Sequence, residues 1–135
     1  MMTLELAKRL LLLALAKAKE MNQPCSIAVV DENGWLVALH RMDEAPAPTA
    51  DIARDKAWTA ATFRLPSSEV SRFGDPRAPG LGLNAQNWND RLTTIPGGLP
   101  LWKQGQVIGA VGVCGRTPED DLALCRAVIE AFDEG

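Results

Sequence analysis

No stretch of the 135 residues approaches the ~20 consecutive apolar residues that span a bilayer. No basic stripe runs along the chain either. With 14 Lys and Arg against 17 Asp and Glu, the net charge is −3, so the surface is not built for nucleic acid or anionic lipid. The three cysteines, Cys25, Cys114 and Cys125, form no CxxC pair and have no histidine beside them. The ligand spacing of a structural zinc site is therefore missing. Their odd number favours free thiols in a reducing compartment, and a cytoplasmic location is expected. Internal repeats and low-complexity tracts are lacking, as are a nucleophile–base pair, a carboxylate dyad and a metal triad. What remains, at 47% apolar and 23% charged residues, suits one globular domain over residues 1–135 with a core of its own.

The N-terminus imitates a signal peptide, with Lys8-Arg9, the apolar run Leu10 to Ala16 and an Ala14-Leu15-Ala16 triplet. Glu5 and the helical patterning that continues through Lys17, Ala18 and Met21 argue instead for a mature helix from Thr3 to Met21. Its apolar positions cover an arc of about 200°, wider than one sheet face requires, which predicts a partner chain against it. Asn22-Gln23-Pro24 ends the helix, Ser26 to Val30 is a buried strand, and Asp31-Glu32-Asn33-Gly34 is a hairpin turn into a strand from Trp35 to Arg41. Thr49 is a cap for a helix from Ala50 to Arg64, which Pro66 stops. The proline- and glycine-rich stretch Pro66 to Asp90 is a long loop with a short helix at Ser68 to Phe73, a composition suited to a lid. Three strands follow, Arg91 to Ile95, Leu99 to Lys103 and Val107 to Val113, and then a helix capped by Thr117 with Pro118 first and Glu119, Asp120 and Asp121 along its dipole. Leu122, Leu124, Cys125, Val128, Ile129 and Phe132 line one face of that helix. The order αββα(α)βββα predicts an α+β fold with a five-stranded, mainly antiparallel sheet flanked by helices.

Five strings carry a resemblance across nearly the whole chain: Val30-Asp31-x-x-Gly34, Arg41-Met42-Asp43-x-Ala45, Lys56-Ala57-x-Thr59-Ala60, Gly97-Gly98-Leu99-Pro100-Leu101 and Val107 to Val113 continuing to Gly115. In this order they resemble the GlcG/HbpS-like family, which includes the C-terminal domain of PduO-type proteins. The resemblance implies a profilin-like three-layer arrangement, assembled into homodimers or larger homo-oligomers. It also implies a small-molecule ligand, haem in some members. Two positions depart from the family pattern. Glu44 stands where glycine is usual, adding a carboxylate to the loop that edges the expected pocket, and Cys114 stands where serine is common.

Lys56 is the most informative single residue, because its wheel neighbours Ile52, Ala53, Thr59, Ala60 and Phe63 put it on the face that meets the sheet. A lysine held there could act as a base, a Schiff-base nucleophile or an anion anchor, or could form a structural ion pair with Asp31 or Asp43. Trp58, on the opposite face, suits a subunit contact. Arg41 could grip a carboxylate bidentately, with Asp43 orienting it or pairing with Lys56. His40, the only histidine, is the one imidazole available to a metal or haem, with Met42 or Lys56 as other axial candidates; packing on an apolar strand face is the alternative. Gly97-Gly98 precedes a strand, which excludes a dinucleotide or Walker-type cradle and leaves a tight turn whose amides could approach an anion. Asn84, Asn87 and Asn89 around Trp88 offer neutral hydrogen-bonding groups in the long loop. Two functions follow: a protein binding haem or another planar or carboxylated metabolite, or a metal-free enzyme acting on a carbonyl or carboxylate compound through Lys56 and Arg41.

Overall fold

Thr3 opens the first helix, its hydroxyl oxygen accepting the Leu6 N–H at 3.1 Å. The structure, a computed structural model, describes residues 1–74 and 89–134. Helix α1 runs Leu4–Glu20 with Glu5 in its first turn and Lys17 and Lys19 in its last, the arrangement that complements a helix dipole. Asn22, at φ +52°, makes the left-handed step out of it, a conformation that asparagine tolerates. Strand β1 (Ser26–Asp31) and strand β2 (Leu36–Arg41) form the expected hairpin. The Asp31 carboxylate accepts from the N–H groups of Asn33 and Trp35 at 2.9 and 3.0 Å, and Gly34 takes the positive φ of +84° that the turn needs.

Helix α2 spans Pro48–Phe63, starting two residues before the expected Ala50, with Pro48 pre-set for a first helical position. Thr49 is not its cap. The Thr49 hydroxyl turns back to Pro46 O at 2.6 Å and meets the Ser26 hydroxyl at 2.8 Å, fastening the helix start to β1. A 3₁₀ helix, Ser67–Gly74, follows. Strand β3 (Gly98–Lys103), strand β4 (Gln106–Cys114) and helix α3 (Pro118–Glu134) complete the chain. Thr117 caps α3 as expected, accepting the Asp120 N–H at 3.1 Å.

The sheet has four strands among the described residues, in the order β2-β1-β4-β3, every pair antiparallel. The expected strand at Arg91 to Ile95 is not one. Its backbone is satisfied by a side chain instead, because the buried Thr59 hydroxyl of α2 donates to Arg91 O and accepts the Thr93 N–H at 3.0 Å. Leu92 then drops into a satellite cluster with Val70, Trp58, Phe63 and Leu65. Trp58 is thus half-buried against its own chain. Alternation reads as strand only where a neighbouring strand offers a ladder, and here a threonine took that place.

Two packed layers cover the sheet. Ile27, Val29, Val111 and Val113 face α1 and α3, and Ala28, Val30 and Ala110 face the alanines of α2. Small residues on both sides let α2 ride very close to the sheet. A Cβ on Gly112 would collide with the Ala53 carbonyl, and one on Gly98 with the Lys56 carbonyl. The wide apolar arc of α1 has an internal explanation as well: Leu10, Leu11 and Ala14 are buried, while Leu6, Leu13 and Leu15 pack at the edge of the same core. Leu4 and Leu12 stay exposed.

Candidate functional site

Lys56 faces inward as its position on the helix requires, and it is 1% exposed. Its ammonium donates to Val113 O at 2.9 Å and to Asp121 Oδ2 at 3.0 Å. The partner is neither Asp31 nor Asp43. Asp121 takes that place because α3 lies over the end of β4 and presents its first turn to the α2 lysine. The other Asp121 oxygen accepts from the Gln23 side-chain amide at 2.9 Å, and the Gly115 N–H also points at the carboxylate. Burial raises the Asp121 carboxyl above the ordinary carboxylate range, against the opposing pull of Lys56, Gly115 and Gln23. Gln23 Oε1, buried too, has no hydrogen-bond partner among the described residues.

Gly97 and Gly98 belong to this cluster through space. A Cβ on Gly97, at φ +127°, would come within 2.9 Å of the Lys56 ammonium and 2.7 Å of Val113 O. The glycine turn therefore closes over the ion pair, and the Gly97 carbonyl accepts the Val113 N–H. Sequence reasoning missed Asp121, assigning it to the helix dipole alone. The signal was present: residues 121, 124, 125 and 128 follow the helical spacing of one face, and the other three are apolar and buried.

Arg41 and His40 end β2 in a different setting. Both are exposed. Arg41 donates to Ala45 O at 2.8 Å, which holds the loop containing exposed Asp43 and Glu44, and His40 has no protein partner among the described residues. Arg41 pairs with Ser26, and Ser26 with Cys114, in one row across the sheet. His40, paired with Ile27, points to the opposite face. Met42 is half-buried, with the Cys25 thiol 3.9 Å from its sulfur. Asn89 lies elsewhere. Its side chain accepts the Arg91 N–H at 2.8 Å, and Arg91 sits 5.8 Å over the Trp35 ring at the hairpin end. Asn84, Asn87 and Trp88 lie outside the described residues. The sequence-predicted set thus splits into a buried group of Lys56, Gly97 and Gly98, an exposed strand end of His40, Arg41, Asp43 and Glu44, and Asn89 apart from both.

Among the described residues, clefts open away from these groups. One of about 270 Å³ is lined by Glu32, Asn33, Arg64, Trp102 and the turn between β3 and β4. A more apolar one of about 320 Å³ lies between α1 and α3 along Arg9, Leu12, Leu13, Ala16 and Ala131.

A family model described as haem degrading protein HbpS-like matches residues 2–130. An uncharacterised 15.0 kDa protein from the dhaT-dhaS intergenic region of Citrobacter freundii is 39% identical over 132 residues, covering 98% of this chain and 92% of its own length. The crystal structure of Klebsiella pneumoniae ORFY superposes with a TM-score of 0.88 at 34% identity, covering 98% of this chain and 90% of that one. The PduOC:heme complex superposes at 0.82 with 28% identity, covering 93% of this chain and 90% of that one. The order of strings, the three-layer fold and these matches agree, and the chain belongs to the GlcG/HbpS-like family.

Proposed function

We propose that the protein is a homo-oligomeric small-molecule-binding protein whose ligand is haem or another planar, carboxylated metabolite, bound at the exposed end of β2. The observation that carries this reading is the match over 93% of the chain to a domain solved with haem. The residues present fit such a group. His40 offers an unpartnered, exposed imidazole, the usual nitrogen donor to haem iron. Arg41, whose side chain leaves the opposite face of the same strand end, offers a guanidinium to a carboxylate that reaches round the sheet edge. Bound haem would contribute an iron with open coordination chemistry, and the chain would orient it. Asp43 and Glu44, exposed in the turn that the Arg41 bond to Ala45 O holds, would disfavour a ligand with more negative charge than Arg41 can balance.

The enzymatic alternative asks more of the molecule. For Lys56 to act as base or nucleophile, the Gly97 turn would have to open and the bond to Asp121 would have to break. Titration with haemin tests the binding reading. A shifted Soret band that His40→Ala weakens about tenfold or more, the loss expected on removing a strong specific contact, supports it, and an unshifted band rejects haem for this chain.

A further inference from the structure

At the end of the sheet away from His40, two side chains of opposite charge line one cleft without meeting. Helix α2 ends on Arg64 in the left-handed conformation, at φ +58°, and the Leu65 N–H turns back to Ala60 O at 3.3 Å. That reversal is ordinarily made by glycine, which adopts it without strain. An arginine there weakens the helix end, and a strained residue kept in place points to a use for its side chain. The Arg64 side chain is exposed and has no hydrogen-bond or ion-pair partner among the described residues. The same is true of Glu32, on the turn between β1 and β2. That turn is held firm by the Asp31 carboxylate, which accepts from the N–H groups of Asn33 and Trp35.

Arg64 and Glu32 both line the cleft of about 270 Å³, whose apolar side is made by Trp102 and Val107. These two are register partners just past the irregularity between Leu101 and Trp102. Bulges of this kind re-aim a side chain, and here the indole is left 50% exposed. Gly105 keeps the mouth open, since a Cβ on it would meet nothing within 4 Å. Charge and size then define the occupant. The cleft is smaller than those that take drug-sized ligands, which leaves a small metabolite. A dianion would be opposed by Glu32 and a dication by Arg64, while an uncharged molecule would leave both without a partner. A zwitterion satisfies both at once.

We propose that this cleft binds a free amino acid with an apolar side chain. Arg64 donates to the carboxylate, in the bidentate manner that suits a guanidinium, Glu32 accepts from the ammonium, and the side chain rests on Trp102 and Val107. The site stands apart from the one proposed for haem and does not depend on it. Strand β2 runs from Leu36, beside this turn, to Arg41, which separates the two by about 17 Å of extended chain.

The common L-amino acids, each at millimolar concentration with the full chain, are compared by ligand-observed NMR. An apolar one such as leucine or phenylalanine is expected to bind with Kd on the order of 1 mM. Its N-acetyl and amide derivatives, each lacking one charge, should bind about tenfold or more weakly. Arg64→Gly removes the guanidinium and the strain together. It is expected to raise the thermal midpoint by about 2–5 °C and to weaken binding about tenfold or more. Glu32→Gln should bring the N-acetyl derivative level with the free amino acid. The proposal is overturned if no amino acid binds, if binding survives Arg64→Gly, or if that variant melts lower than the wild type, which would make the arginine structural. Displacement of the amino acid by haemin also overturns it, because the two would then share the His40 end, whereas a failure of haemin to bind leaves this proposal standing.

Discussion

Among single residues, Lys56 and Asp121 carry the largest consequence, because each is a buried charge paired with the other and hydrogen-bonded by few further groups. Asp121→Ala is expected to lower stability by about 3–5 kcal/mol, the usual result of stranding one member of a buried pair. The double variant Lys56→Met, Asp121→Leu should recover most of that loss, since apolar replacement of a whole pair is often neutral. Urea unfolding of the three proteins checks both. If the double variant unfolds as readily as Asp121→Ala, the surrounding bonds to Gln23, Gly115 and Val113 matter more than the charges. The thiols give a pH dependence. Burial pushes Cys125, and likewise Cys25 with further help from the Asp121 and Cys114 charges, from 9.0 up to about 12. Between those values the native state keeps protons that the unfolded chain has lost, so stability falls as pH rises through the window. Urea midpoints from pH 8 to 11 should decline, and Cys125→Ala should flatten the decline. A midpoint indifferent to pH in that range would count against the buried thiols.

Elements are governed by how closely α2 approaches the sheet. Gly112→Ala would drive a methyl group into the Ala53 carbonyl, and it is expected to cost about 1–3 kcal/mol or more as overpacking. Gly105→Ala meets nothing within 4 Å and carries only the strain of φ +78°, about 1–2 kcal/mol. Thermal midpoints rank the two, and a milder Gly112 variant would mean that α2 can lift off cheaply. At this scale much of the chain was legible. The cap at Thr117, the Asn33-Gly34 turn and the apolar spacing of α1 and α3 are local signals, and each expected element that formed lies within about two residues of its expected ends. Arg91 to Ile95 was illegible because its hydrogen bonds go to Thr59, over thirty residues away, and no local pattern reports that.

For the whole molecule, a ligand that binds only the folded state raises stability with its concentration, by about 2.7 kcal/mol at a hundredfold excess over Kd. Haemin should therefore raise the thermal midpoint of the wild type and raise that of His40→Ala less; equal shifts would place the ligand away from β2. None of the described helices is long and apolar enough to cross a membrane, which agrees with the absence of a spanning run in the sequence. The sequence by itself determined the α+β class, the Thr117 cap, the hairpin turn, the inward direction of Lys56 and the family, because these depend on residue spacing and on motifs a few positions long. Only the tertiary structure decided that Lys56 meets Asp121, that Gly97 seals the pair, that His40 stands exposed on an open edge and that the sheet has four strands among the described residues. Those are contacts between segments far apart in the chain. They follow from which faces the layers bring together, and spacing along one element carries no record of its neighbour.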